Sequence, residues 1–433
     1  MRLPTYLSSR PLSFDDGVYG ASTVALRHGQ APYRDVWSSQ GPLHLPLLYV
    51  GDLVGMRTLD APRTTAIISA IVTAVAIWAC ARLLGATDAT ALTAGLLVAT
   101  TGTTLWAAGQ ITGDGPAVAL SAVAVWCALR YRATPRMGWA VATGVAFGAA
   151  LATKPIVIAA LVPLAWWLAE RRRLPDLLAA TFAVPMTWFA TALPWGLGRV
   201  WEQSVEYHRS AGPAYGVVTQ TGKLAQTVAT RDAILLVAVA LGICVLTRSA
   251  LRPDTIVLGT WAVVAATVLA FEKAMFANHV ATLVVPLALI VARHPPPVRA
   301  FLVALLVLVP WQLANQRDIL WPQRLTGVDA EVVADLRTLP PGSVVVADDP
   351  GLVWRSGMIT PPLMSDTTDM RVLQGSLTTR DIVAAGACAV VITPAGFGTL
   401  LPDLRDALRT GKFTLQRAYG ADREFWRKPI EEC

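Results

Sequence analysis

Ten apolar runs follow one another along the chain, at about 61–84, 88–108, 116–132, 138–153, 155–170, 175–198, 232–247, 254–271, 279–293 and 298–314. A helix crossing the hydrocarbon core of a bilayer needs about 20 such residues. The shorter runs must therefore borrow from their flanks, stand untilted or re-enter. Of the 433 residues 54% are hydrophobic and only 15% charged, well outside the range of a soluble domain. This pattern predicts a polytopic α-helical membrane protein with about 10 transmembrane helices and room for one small soluble domain.

The net charge of +7 would suit a nucleic-acid partner, but its placement argues otherwise. Arg82, then Arg130, Arg132 and Arg136, then Arg171 to Arg173, then Arg248 and Arg252, then Arg293 and Arg299 occupy alternate loops between apolar runs. Such alternation is insertion topology: these loops face the cytoplasm, and the charge implies no nucleic acid. Cys80, Cys127, Cys244, Cys388 and Cys433 show no metal-binding spacing, and three of them lie inside apolar runs, where cysteine packs as a small apolar residue. No cleavable signal peptide is visible, since Met1 to Ser13 lacks an apolar core.

The outward segments are then 1–60, 109–115, 153–154, 199–231, 272–278 and everything after about 315. They collect Asp15, Asp16, Arg34, Asp35 and Gln40; Asp114 in "GDGP"; Lys154 in "TKP"; Glu202, Glu206, His208 and Arg209; and Glu272, Lys273, Asn278 and His279. Polar groups at membrane depth are costly and mark functional cavities, and here they fall on one side. Taken singly, each has a plainer reading. Asp114 suits a helix N-cap ahead of Pro116, Lys154 a snorkelling interfacial lysine, and His279 a satisfied structural histidine. Glu202, Glu206 and His208 could hold a divalent metal, yet the i, i+4 spacing of the two acids equally suits a helix lying on the membrane.

The stretch FDDGVYGASTVALRHGQAPYRDVWSSQGPLHLPLLYVGDLVG, Phe14 to Gly55, resembles the first extracytoplasmic loop of GT-C-type glycosyltransferases, in particular the bacterial branch related to protein O-mannosyltransferases and aminoarabinose transferases. There an acidic pair, usually Asp-Glu, precedes an amphipathic stretch and a "PYRDxxxxQGPL" element. Here the pair is Asp15-Asp16, and the element is Pro32 to Asp35 with Gln40 to Leu43. The resemblance implies a GT-C-like fold and sugar transfer from a polyprenyl-phosphate donor to an envelope glycan, lipid or protein acceptor at the outer face of a bacterial cytoplasmic membrane. It implies Asp15 as the general base, Asp16 as a neighbour that binds sugar or raises the pKa of Asp15, and Asp114 as a second carboxylate.

Such chemistry asks for one base, to take the acceptor proton, and one cationic clamp, because a phosphate leaves as a stabilised anion. Candidates for the clamp are Arg34, Lys154, Lys273 and His279, with Tyr33, Gln40, His208 and Arg209 as further substrate contacts. Related transferases begin with a membrane helix before the acidic pair, whereas only fourteen residues precede Asp15. The expectation is that the natural start lies upstream of Met1.

From about 318 charge rises. "GSVVVADD" and "CAVVITP" read as buried strands among helix-like stretches at 329–338, 378–387 and 399–410, a small extracytoplasmic α/β domain. Its "DDPG" at Asp348 to Gly351 suits an Asp-capped turn or a ligand loop. The expected division is a first outward loop at 1–60, a helical core at 61–315 and the α/β domain at 316–433. Two alternatives remain: a non-catalytic GT-C-like scaffold, and a lipid-linked-sugar transporter, which should show inverted halves that this sequence lacks.

Overall fold

The computed structural model describes residues 13–210, 216–246, 252–272, 275–320, 325–429 and 431. Helices α1 (Phe14–Arg27) and α2 (His44–Val54) precede the apolar runs. The runs themselves fold as α3 (Arg63–Leu83), α4 (Asp88–Thr100), α5 (Gly102–Gly109), α6 (Asp114–Ala133), α7 (Met137–Thr153), α8 (Leu161–Ala169, after a 3-10 turn at Pro155–Ala160), α9 (Leu174–Ala192), α11 (Ala233–Leu246), α12 (Pro253–Phe271), α13 (Ala281–Arg293) and α14 (Val298–Asn315), and a further helix, α10 (Val217–Arg231), forms within the segment expected as a loop at 199–231.

Among the described residues four helices, Arg63–Leu83, Leu174–Trp195, Pro253–Phe271 and Val298–Asn315, are long and apolar enough to cross a membrane. Six spans result if each bent pair counts as one, fewer than the ten runs suggested. The breaks account for part of the difference. The run at 88–108 bends by 56° at Thr101, and α10 meets α11 at 92°. These two bends hold each other: Asp232, between α10 and α11, accepts hydrogen bonds from Thr103 N at 3.1 Å and Thr103 Oγ1 at 2.6 Å in the first turn of α5. A buried carboxylate thus caps a helix start that has no partner of its own.

The core lies between α3, α6 and α13, around Ile77, Leu129, Trp167 and Leu289. α9 and α14 instead turn their apolar side chains outward, including Phe182, Phe189, Leu302 and Leu306. Exposed apolar surface of that extent is what a lipid environment would cover. At the far end of α6, Arg132 pairs with Asp254 at 2.6 Å and Glu170 at 2.8 Å, and the indole of Trp167 donates to Asp254 at 3.3 Å. α6 has 20 residues, so this cluster and Asp114 stand roughly 27 Å apart at ~1.5 Å per residue.

After α15 (Gly327–Leu336) comes a four-stranded sheet of order β1-β2-β4-β3: β1 (Val345–Ala347), β2 (Ala389–Ile392), β3 (Thr414–Tyr419) and β4 (Arg423–Arg427). β1 and β2 are parallel, and β4 pairs antiparallel with both β2 and β3. Side chains alternate between two cores: Val345, Ala347 and Val391 on one face, Val346, Val390 and Ile392 on the other. The β3–β4 hairpin is absent from the sequence expectation, because its strands carry Gln416, Arg417, Arg423 and Glu424 between their apolar residues. The stretch expected as one helix at 399–410 is two short ones, Phe397–Leu400 and Leu404–Thr410.

Helix α16 (Pro350–Ser356) lies directly on α1. A β-carbon on Gly17 would overlap the backbone of Gly351, and one on Gly20 would overlap the indole of Trp354. The glycines of "DDGVYG" are therefore what let the C-terminal region seat against the first helix.

Candidate active site

Asp15 and Asp16 open α1, where first-turn carboxylates suit the positive end of the helix. They part company at once. Asp16 is wholly buried: Arg63 pairs with it at 3.1 Å, and Ile111 N donates to it at 2.7 Å. Arg63, itself 1% exposed, also bonds Asp60 at 3.0 Å and the carbonyl of Gly109. Asp60 in turn binds Arg355 of α16 at 2.9 Å, and Arg355 lies over the Trp354 ring at 4.0 Å. This clamp ties α1, α3, the 109–111 turn and α16 together. Asp16 is thus spent on Arg63, and the acids that act on Asp15 are Asp114 and Asp366, not Asp16. Arg63 was a missed signal: it is an arginine at the end of an apolar run expected to face outward, against the positive-inside trend.

Asp15, partly buried, takes part in no such network, and its carboxylate accepts no hydrogen bond among the described residues. Burial pushes it up from its ordinary 3.8 to about 6, with Asp114 raising it further and Lys154 and His279 opposing. These opposing groups form one chain. Lys154 Nζ donates to Asp114 Oδ2 at 2.9 Å and to His279 Nε2 at 3.0 Å, and His279 Nδ1 donates to Glu272 at 2.7 Å. Asn278 adds a donor to Asp114 Oδ2 at 2.5 Å.

Local sequence explains each placement. Pro155 forbids a helical residue before it, so Lys154 is extended (φ −156°, ψ 119°) and leaves the end of α7. Asp114 opens α6, with Pro116 in the first turn, where its missing N–H costs nothing. His279 belongs to the 3-10 turn Ala277–Val280 that leads into α13. Residues from the segments 1–60, 109–115 and 153–154, with Glu272, Asn278 and His279, which the sequence expects on one side of the membrane, therefore meet in one cluster.

Other expected residues fall elsewhere. Tyr33 is buried with φ 61° and donates to the Gln40 carbonyl at 2.6 Å, shaping the loop that carries Gln40. Gln40 itself reaches Gly113. Arg34 is exposed and bonded to Asp35 at 2.8 Å, and Arg209 is exposed and bonded to Glu206 at 2.8 Å. His208 bonds the Ser204 carbonyl at 3.1 Å, with Lys154, Asp366 and Glu272 among the charges acting on it. Lys273, expected at the donor phosphate, lies outside the described residues. Among the described residues no three His, Cys, Asp or Glu side chains converge as a metal set. Asp348 accepts from Thr393 N at 2.6 Å and Phe397 N at 3.2 Å, and Asp349 caps α16 through Gly351 N at 3.0 Å, so "DDPG" does capping duty.

The C-terminal region also supplies Asp366, a residue the sequence gave no reason to choose. Its segment is anchored by Arg371 over the Trp37 ring at 4.1 Å, Thr368 on the Tyr207 hydroxyl at 3.0 Å and Gln374 on the Tyr207 carbonyl at 3.1 Å.

Residues 40–195 match a family model described as dolichyl-phosphate-mannose-protein mannosyltransferase. No curated protein matches the sequence. Among solved structures, the fold is similar to ArnT from Cupriavidus metallidurans in the apo state, with TM-score 0.67 and 15% identity over 99% of this chain and 96% of that one. ArnT bound to undecaprenyl phosphate matches at TM-score 0.67 and 14% identity, with the same coverage. The archaeal oligosaccharyltransferase AglB from Archaeoglobus fulgidus, in complex with an inhibitory peptide and a dolichol-phosphate, matches at TM-score 0.51 and 10% identity, over 95% of this chain and 70% of that one. The family match thus takes in Gln40 to Gly55 of the stretch that carried the GT-C resemblance, while the acidic pair lies before it, and the similarity of fold to ArnT runs over nearly the whole chain.

Proposed function

We propose that the chain transfers a sugar from a polyprenyl-phosphate donor to an acceptor hydroxyl at the outer face of the membrane, with Asp15 as general base. The observation that carries this reading is the Asp15 carboxylate, without a hydrogen-bond partner among the described residues, under the charges of the Asp114–Lys154–His279 chain. A base with a pKa near 6 is ionised at neutral pH yet still takes a proton as it leaves a hydroxyl under attack. The step is a single displacement: the acceptor oxygen bonds the anomeric carbon, the carbon–oxygen bond to phosphate breaks, and the acceptor proton passes to Asp15. Lys154 holds the departing phosphate, and Asp114 and His279 keep its ammonium in place.

In this reading 1–60 carries the base, 61–315 the lipid-facing core with about ten spans, and 316–433 an extracytoplasmic cover that brings Asp366 over the site and positions the acceptor.

Lipid extracts and envelope glycans compared between wild type, a deletion strain and Asp15→Asn test the reading. A polyprenyl-phosphate sugar should accumulate and one glycan residue disappear in both mutants. Loss in the deletion strain alone would make the chain a scaffold or transporter.

A further inference from the structure

His44, the first residue of α2, is wholly buried, and neither ring nitrogen has a hydrogen-bond partner among the described residues. A buried polar group left unmade costs about 1–3 kcal/mol, and native proteins rarely keep one without use. Its ring is held edge-to-face against Tyr19 at 4.5 Å, so it is oriented although unbonded. It is also part of the site. A β-carbon on Gly113 would lie 3.4 Å from His44 Nδ1, 3.5 Å from Gln40 Oε1 and 3.6 Å from Lys154 Cβ. The missing side chain at Gly113 therefore leaves a small cradle edged by an imidazole, a carboxamide and the stem of the lysine, next to Asp114.

We propose that His44 is a substrate-binding residue that hydrogen-bonds a hydroxyl of the transferred sugar, not the phosphate. The argument rests on donor and acceptor balance. Burial, with the Lys154 charge beside it, holds His44 down at about 3, so the ring is neutral and offers one N–H and one lone pair. A phosphate oxygen only accepts, and would leave the lone pair orphaned. A sugar presents several hydroxyls, each able to donate or accept, so one can take the N–H and another can donate to the lone pair, with the Gln40 carboxamide offering both on the other side of the cradle. This inference rests on the sugar-transfer reading above and assigns the sugar end of that site to Gln40, His44 and Gly113.

Binding to the purified full-length protein in lipid nanodiscs separates the two. The probes are undecaprenyl phosphate alone and undecaprenyl phosphate carrying mannose, glucose or arabinose. His44→Phe keeps the ring packing on Tyr19 and removes the hydrogen bonds. It should leave affinity for the bare lipid within twofold and weaken the preferred sugar-bearing lipid about tenfold, while raising the melting temperature because an orphaned polar group is gone. His44→Asn should restore part of the lost affinity. His44→Leu carries the same test if Phe is not accommodated. Equal weakening of bare and sugar-bearing lipids, or no weakening of either, overturns the inference. A wild type that binds none of these lipids overturns the sugar-transfer reading itself.

Discussion

The two carboxylates at the head of α1 belong to two ionic regions that differ in one respect. Around Asp16 the acids are all paired: Arg63, Asp60 and Arg355 close a buried clamp among four segments of the chain. Around Asp15, among the described residues, one carboxylate accepts no hydrogen bond, Asp114 Oδ1 has no hydrogen-bond partner and neither does either nitrogen of His44. Paired acids fix a scaffold, whereas acids and imidazoles kept without partners at a cost are where a ligand would complete the set.

The largest test of this contrast is Asp16→Ala. Removing one member of a buried ion pair leaves Arg63 under-compensated, at a cost of about 3–5 kcal/mol. Thermal unfolding and the yield of folded protein in membranes should both fall sharply. A variant as stable as wild type would show that Asp60 and the Gly109 carbonyl alone satisfy Arg63.

Gly17→Ala attacks the same seat from the backbone. Its new methyl meets Gly351, so α16 must shift, at about 1–3 kcal/mol. Limited proteolysis should release the C-terminal region faster, and transfer should fall because Asp366 is carried by that region.

Asp15→Asn should do the opposite to stability. The carboxyl ionises near 6 in the folded chain and near 3.8 unfolded, so its contribution is complete below 3.8 and is lost as pH rises through 6. At pH 7 the amide should therefore be more stable than wild type by about 2 kcal/mol, after a discount for partial exposure, and equal to it near pH 3.5. Wild-type transfer should rise with pH through about 6, and the variant should show no transfer at any pH. A variant that is less stable at pH 7 would place Asp15 among the structural charges. Smallest of all, Glu206→Ala breaks an exposed pair with Arg209 and should change the melting temperature and the transfer rate within error.

The site was legible where chemistry and topology coincide. Asp114, Lys154 and His279 each have a plainer reading alone, but they stand out together because the alternation of loop charge predicts that they lie on one side of the membrane. Arg34 and Arg209 have the same residue type without the depth, and the structure leaves both at the surface on neighbouring acids. His44 and Asp366 were not legible. One sits at the head of an apolar helix, the other in a polar turn more than three hundred residues from Asp15, and only packing reveals that each faces the cluster.

What the sequence determined by itself was the succession of apolar helices, their alternation of loop charge and the GT-C resemblance, since hydropathy and local residue order act over one or two turns. The resemblance singled out Asp15 as the base, but that Asp16 is tied up by Arg63 and Ile111 was decided only in three dimensions. Successive helical residues diverge by about 100°, so the neighbour met by each carboxylate depends on what packs against either side of α1. The glycines that admit α16 there, and the arginine that arrives from α3, decide that Asp16 is the acid locked into the clamp.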